Sequence, residues 1–310
     1  MMDPLAFWNV HSFRLMLLGT ATIGGVASAL GAFAYLRRQS MIGDVASHAA
    51  LLGVVGAFVV GAGVLGIDGR AMALLVIGAW LAAVSAALLV NAVERTSVLH
   101  QDAAMAVVIA LFFGGGLALL RLVQNSRLPG KGGLQEYLFG NAASITTPDL
   151  ISVLAFGGIA LAIPLATWNA FAITAFDPQS AVLAGFRART VDLLMFGALT
   201  LAIVIGLKAV GLILMVAFAV TPAAAARQWV HSVGALVTLS GLIGAGCAAV
   251  GCYLSVGLGR VPTGPVVVLL LSAVLVLSLI AAPQRSVLRR ALHRRRRRRN
   301  LTRRVTQEAS

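Results

Sequence analysis

The run Met41-Ile-Gly-Asp-Val-Ala-Ser-His48 carries a carboxylate and an imidazole four residues apart. That spacing sets Asp44 and His48 on one face of a helix. The run heads an otherwise apolar segment that continues to Gly66. At membrane depth both groups are costly unless they meet a partner, a cavity or an ion. Together they offer one hard oxygen and one borderline nitrogen, a donor set that suits Mn²⁺, Zn²⁺ or Fe²⁺. A transiting dication would offset both burial costs and keep His48 neutral as a ligand. Two ligands make a weak, open site, and weak binding is what passage requires. The competing reading is that Asp44 caps the helix and His48 hydrogen-bonds locally.

The elements that hold this pair must lie in a bilayer. The chain is 59% hydrophobic and 11% charged, against about 25% charged residues in soluble domains, and its mean hydropathy is +0.95. Its apolar runs are long and continuous rather than alternating, which selects spanning helices over a β-barrel. We expect an all-α polytopic membrane protein of eight or nine transmembrane helices. Nine windows qualify, at 13–36, 44–67, 71–93, 103–121, 149–172, 190–207, 209–227, 233–258 and 261–283. The sixth and seventh are parted only by Lys208, so eight spans is the alternative. The first apolar segment is long enough to span and does not read as a cleaved signal peptide. Residues 1–283 form the transmembrane domain, and 284–310 form a basic tail predicted to be disordered and cytoplasmic. That tail carries eleven arginines against one acid, Glu308. It reads as a solvated segment held on anionic lipid, with a nucleic-acid arm as the sharper alternative. With the tail inside, nine spans put the N-terminus outside and set Asp44 toward the inner end of its span. Loop 122–148 reads as partly re-entrant.

The other polar and special residues receive plainer readings. Cys247 and Cys252 are small packing residues, and no disulfide framework or zinc knuckle is supported. The glycines within spans allow close helix approach, either for packing alone or for sliding. Pro222 marks either a hinge or a helix end. Asp102, Asp149 and Asp192 open spans, where acids suit the helix dipole; Asp102 on the ion's path is the alternative. Trp80 packs within a span, and the remaining tryptophans anchor at interfaces. There is no Gly-x-x-x-x-Gly-Lys-Ser/Thr phosphate loop, no serine elbow and no His-Glu-x-x-His pair. The chain is therefore not expected to be an enzyme, and a pump built on it needs its ATP hydrolysed by another subunit.

Five segments occur in a telling order: Met41–His48, Gln101-Asp102-Ala103-Ala104, Glu136-Tyr137-Leu138-Phe139-Gly140-Asn141, Phe176-Asp177-Pro178 through Ala181, Ala184 and Gly185, and Val210-Gly211 through Thr221-Pro222. In this they resemble the zinc/manganese/iron ABC-transporter permeases, the ABC-3 metal importers, over residues 12–282. The resemblance implies an ABC-importer permease bundle, paired as a homodimer and docked on a cytoplasmic ATP-binding subunit. An extracytoplasmic metal-binding protein would deliver the divalent ion. It also implies that Asp44 and His48 bind the ion in transit. Asp177, Pro178, Ala181, Ala184 and Gly185 would form a short capped helix with a small surface, docking in the ATPase groove. The chain would then sit in the cell membrane as a multi-pass protein with a cytoplasmic C-terminus. A solitary ion-coupled carrier is the competing class; it usually needs an inverted repeat, and none is evident. A membrane scaffold with a binding tail is a third.

Overall fold

The fold was taken from a computed structural model, which describes residues 10–282 except 38–41, 67–68, 70, 127, 129, 131, 133, 135–139, 177–180, 182, 187 and 259–260. The described elements are α1 His11–Leu36, α2 Ile42–Val59 ending in a π turn at Val60–Val64, α3 Met72–Thr96, α4 Gln101–Asn125, α5 Thr147–Ala166, α6 Trp168–Phe176, α7 Ala188–Val210, α8 Leu212–Ala226, α9 Val233–Gly257 and α10 Thr263–Ala281. No strand occurs among the described residues. Continuous apolar composition forces this outcome, because only a helix satisfies its own backbone in lipid.

Eight helices are long and apolar enough to cross a membrane. The seventh window, 209–227, becomes α8, with only 15 residues. At 1.5 Å per residue that is about 22 Å, short of the roughly 30 Å hydrocarbon core. Lys208 does not divide two spans, since α7 runs past it to Val210. The turn comes at Gly211, whose φ of +89° is open to glycine at little cost. The fifth window breaks at Thr167 into α5 and α6. Pro164 lies one turn earlier, where it removes a helical hydrogen bond.

α1 is the central helix, and α9 lies antiparallel against it. Gly24 packs on the Gly244 carbonyl, and the Ser240 hydroxyl donates to the Ser28 carbonyl at 2.7 Å. α8 runs alongside α1, so tightly that a Cβ on Gly31 would fall on the Ala219 carbonyl. On the other side α2 packs against α3 through Gly53 and Gly78. α4 closes over α2 where Gly116 meets Leu51 and Leu52. Small residues at each crossing let the helices approach without a hydrophobic driving force.

The end of α1 and the start of α7 share one end of the bundle, where Arg37 and Asp192 form an ion pair. The start of α9 lies there too, since Leu236 clusters with Ala32 and Ala226, and α10 finishes at that same end. At the opposite end Lys208 and Asp149 pair at 2.6 Å with little side-chain exposure. Of the loop, the described stretch 140–146 packs against α1 and α7. Ile145 meets Gly19, two turns into α1, and the Asn141 N–H donates to the Lys208 carbonyl at 2.9 Å.

Candidate functional site

α2 supplies the site. Its first turn holds Asp44, whose charge suits the N-terminal end of the helix dipole. The Ser47 hydroxyl bonds back to the Gly43 carbonyl at 2.7 Å and occupies the buried side of this turn. Gly43 itself packs against Ala219 of α8 and Ile203 of α7. Asp44 and His48 are both half-buried.

His48 Nδ1 lies 2.9 Å from the Asp44 carbonyl oxygen. A carbonyl can only accept, so Nδ1 carries a proton, and in the neutral ring the lone pair is on Nε2. The imidazole sits edge-on to Phe113, with centroids 4.9 Å apart at 80°. Phe113 belongs to α4, and His48 stands in the second turn of α2, so the pair lies toward the starting end of its span, as expected. The local hydrogen bond is present, as the competing reading expected. Rather than competing with ligation, it orients the ring and selects the tautomer that a metal ligand needs.

No ion pair to Asp44 occurs among the described residues, whose salt bridges are Arg37–Asp192 and Lys208–Asp149. Nor do three or more His, Cys, Asp or Glu side chains gather there into a metal cage. Within one chain the pair therefore offers two donor side chains, with no third beside them among the described residues. Beside it, at the end of the bundle where α10 finishes, lies a cavity of about 290 Å³ between α2, α3, α4 and α7. Val45, the neighbour of Asp44, lines it together with Asn91, Glu94, Gln101, Met105 and Asp192. None of these residues was singled out for a site by its spacing in the chain. Asp192 and Glu94 come from helices far apart in sequence, so no local pattern joins them.

Asp177 and Pro178 of the docking segment fall outside the described residues. Ala181 is fully buried, whereas Ala184 and Gly185 are exposed. The expected shared small surface thus excludes Ala181, whose carbonyl accepts from the Phe186 N–H at 3.0 Å and closes the turn. Leu183, 89% exposed, takes the outward position instead. Gly185 has a φ of +83°. Of the acidic element, Gln101 and Asp102 open α4 as expected, while residues 136–139 of the Tyr-Leu-Phe-Gly element lie outside the description. Asp149 does more than complement a dipole: it closes a capping box with Thr146 and binds Lys208. Cys247 and Cys252 are free and buried, as packing residues are.

The sequence pattern of the ABC 3 transport family matches residues 10–282. The zinc transport system membrane protein TroC of Treponema pallidum is 34% identical over 284 residues, covering 92% of this chain and 93% of that protein. The manganese transport system membrane protein MntC of Bacillus subtilis is 32% identical over 270 residues, covering 87% of this chain and 61% of that one. Among solved structures, PsaBC from Streptococcus pneumoniae in complex with Fab superposes with a TM-score of 0.81 at 28% identity, covering 91% of this chain and 96% of that one.

Proposed function

The chain belongs to the ABC 3 transport family, and on that premise we propose that it is the transmembrane subunit of an ATP-driven importer of Mn²⁺, Zn²⁺ or Fe²⁺. Asp44 supplies an oxygen and His48 its Nε2 lone pair to the passing ion. The observation that carries this reading is the Nδ1 bond to the Asp44 carbonyl, which leaves the other ring nitrogen available one turn from a carboxylate. The names of TroC and MntC support a transition metal as cargo. Two ligands hold a dication loosely, so it can leave, and waters or a second copy of the chain complete its coordination.

The protein does no nucleotide chemistry of its own. A cytoplasmic ATP-binding subunit drives alternating access through residues 177–187, and an extracytoplasmic metal-binding protein delivers the ion. The C-terminus lies in the cytoplasm, where the arginines of 285–304 rest on anionic headgroups. The cavity below Asp44 opens at that same end and offers the released ion a polar way out.

The test is uptake of Mn²⁺ and Zn²⁺ by cells carrying Asp44→Ala or His48→Ala. Losing a ligand from a two-ligand site should cost at least about tenfold in transport at unchanged protein level. Unchanged uptake would remove the assignment. Transport that persists after deletion of every co-purifying ATPase would return the chain to the class of solitary carriers.

A further inference from the structure

Three buried hydroxyls in this bundle bond back to their own helix. Thr20 donates to the Met16 carbonyl, Ser47 to Gly43 and Thr174 to Ala170. Ser28 does not. It is fully buried in α1, yet its hydroxyl donates to the Phe218 carbonyl of α8 at 3.0 Å. Phe218 lies four residues before Pro222, which sits inside α8. Proline has no N–H, so the Phe218 carbonyl loses its normal helical partner. Ser28 is the donor that replaces it.

Two neighbours show that the place is built for this bond. A Cβ on Gly244 of α9 would fall on the Ser28 hydroxyl, so glycine leaves room for it. The Ser240 hydroxyl of α9 in turn donates to the Ser28 carbonyl at 2.7 Å, which ties the donor's own backbone in place. The next residue along α8, Ala219, packs against Gly43, the residue before Asp44. A hydrogen bond from α1 thus ends one contact away from the ligand turn.

We propose that Ser28 is a positioning residue for the transit site, replacing the hydrogen bond that Pro222 withholds from α8 and so bracing the Gly43–Asp44 turn. The proposal rests on the reading of Asp44 and His48 as ion ligands. Without the hydroxyl, the Phe218 carbonyl is left unpaired, α8 relaxes, and the turn loses its backing.

The experiment uses the full chain assembled in its host membrane, with Ser28→Ala, Pro222→Ala and the two combined. Melting temperature and the Mn²⁺ concentration for half-maximal uptake are both measured. Ser28→Ala should lower the melting temperature by about 2–4 °C and raise the half-saturating concentration about fivefold. In the double variant the backbone N–H restored at position 222 can bond the Phe218 carbonyl, so the melting temperature should recover. The half-saturating concentration should not, because a regular α8 no longer braces the turn as the interrupted one does. If Ser28→Ala fails to accumulate, the double variant should restore accumulation. Three results overturn the proposal: Ser28→Ala without effect on either measure, a double variant that does not recover stability, or one that recovers both. Uptake that survives Asp44→Ala and His48→Ala sinks the ligand reading instead and leaves the thermal comparison of Ser28 and Pro222 standing.

Discussion

His48 shows how one hydrogen bond decides what a side chain can do. With Nδ1–H committed to the Asp44 carbonyl at 2.9 Å, only Nε2 can ligate. This has a consequence that ordinary alanine replacement would not reveal. Glutamine places its amide near the Nε2 position, and asparagine places its own near Nδ1. His48→Gln should therefore retain more Mn²⁺ uptake than His48→Asn, although asparagine better keeps the bond to the carbonyl. Initial rates of radiolabelled Mn²⁺ uptake in the two variants check this. The reverse order would mean that Nδ1, not Nε2, serves the ion. Phe113 packs edge-on against the ring and limits its rotation, so the preference is held by an aromatic contact as well as a hydrogen bond.

Among the elements, the join between α5 and α7 holds a nearly buried ion pair. Lys208 and Asp149 are only 19% and 10% exposed, and Asp149 also accepts from the Thr146 N–H and hydroxyl. Removing one member strands the other charge. Lys208→Ala should destabilise the purified protein by about 3 kcal/mol, whereas Lys208→Met with Asp149→Leu should come out near neutral. Thermal unfolding of the three proteins tests this, and equal losses in the single and double variants would show that the pair itself is not what matters. The crossing of α1 and α8 is governed by shape rather than charge. A Cβ on Gly31 has nowhere to go but the Ala219 backbone. Gly31→Ala should therefore part the two helices, and protein level in the membrane should fall with transport.

For the whole molecule, the charge asymmetry of the chain bears on orientation more than on folding. The tail supplies eleven arginines, yet the helices that end nearest to it are packed by apolar and small residues. Deleting residues 285–310 should leave most metal uptake intact while reducing the anionic lipid bound to the protein. Uptake and the anionic lipid that co-purifies with the truncated chain measure the two separately, and a complete loss of transport would make the tail part of the working machine. The family match ends at residue 282, before the tail begins.

Much of this protein was legible from composition and spacing. Lipid forbids unpaired backbone, so long apolar runs had to become helices, and the windows found along the chain match the observed helices closely. The Asp44 and His48 spacing likewise placed both groups on one helix face before any fold was known. Other features required the packed chain. Helix periodicity places His48 toward the starting end of its span, where it is found, but cannot say that Phe113 of another helix packs against its ring. Spacing leaves Pro222 as either a hinge or a helix end. It lies inside a helix because Ser28, 190 positions before the carbonyl that the proline frees, answers that carbonyl from another helix. Ala181, grouped with Ala184 and Gly185 by the family resemblance, turns inward where the chain closes on itself at Phe186. Each of these depends on which distant segments touch, and contacts between distant segments leave no local mark in a single sequence.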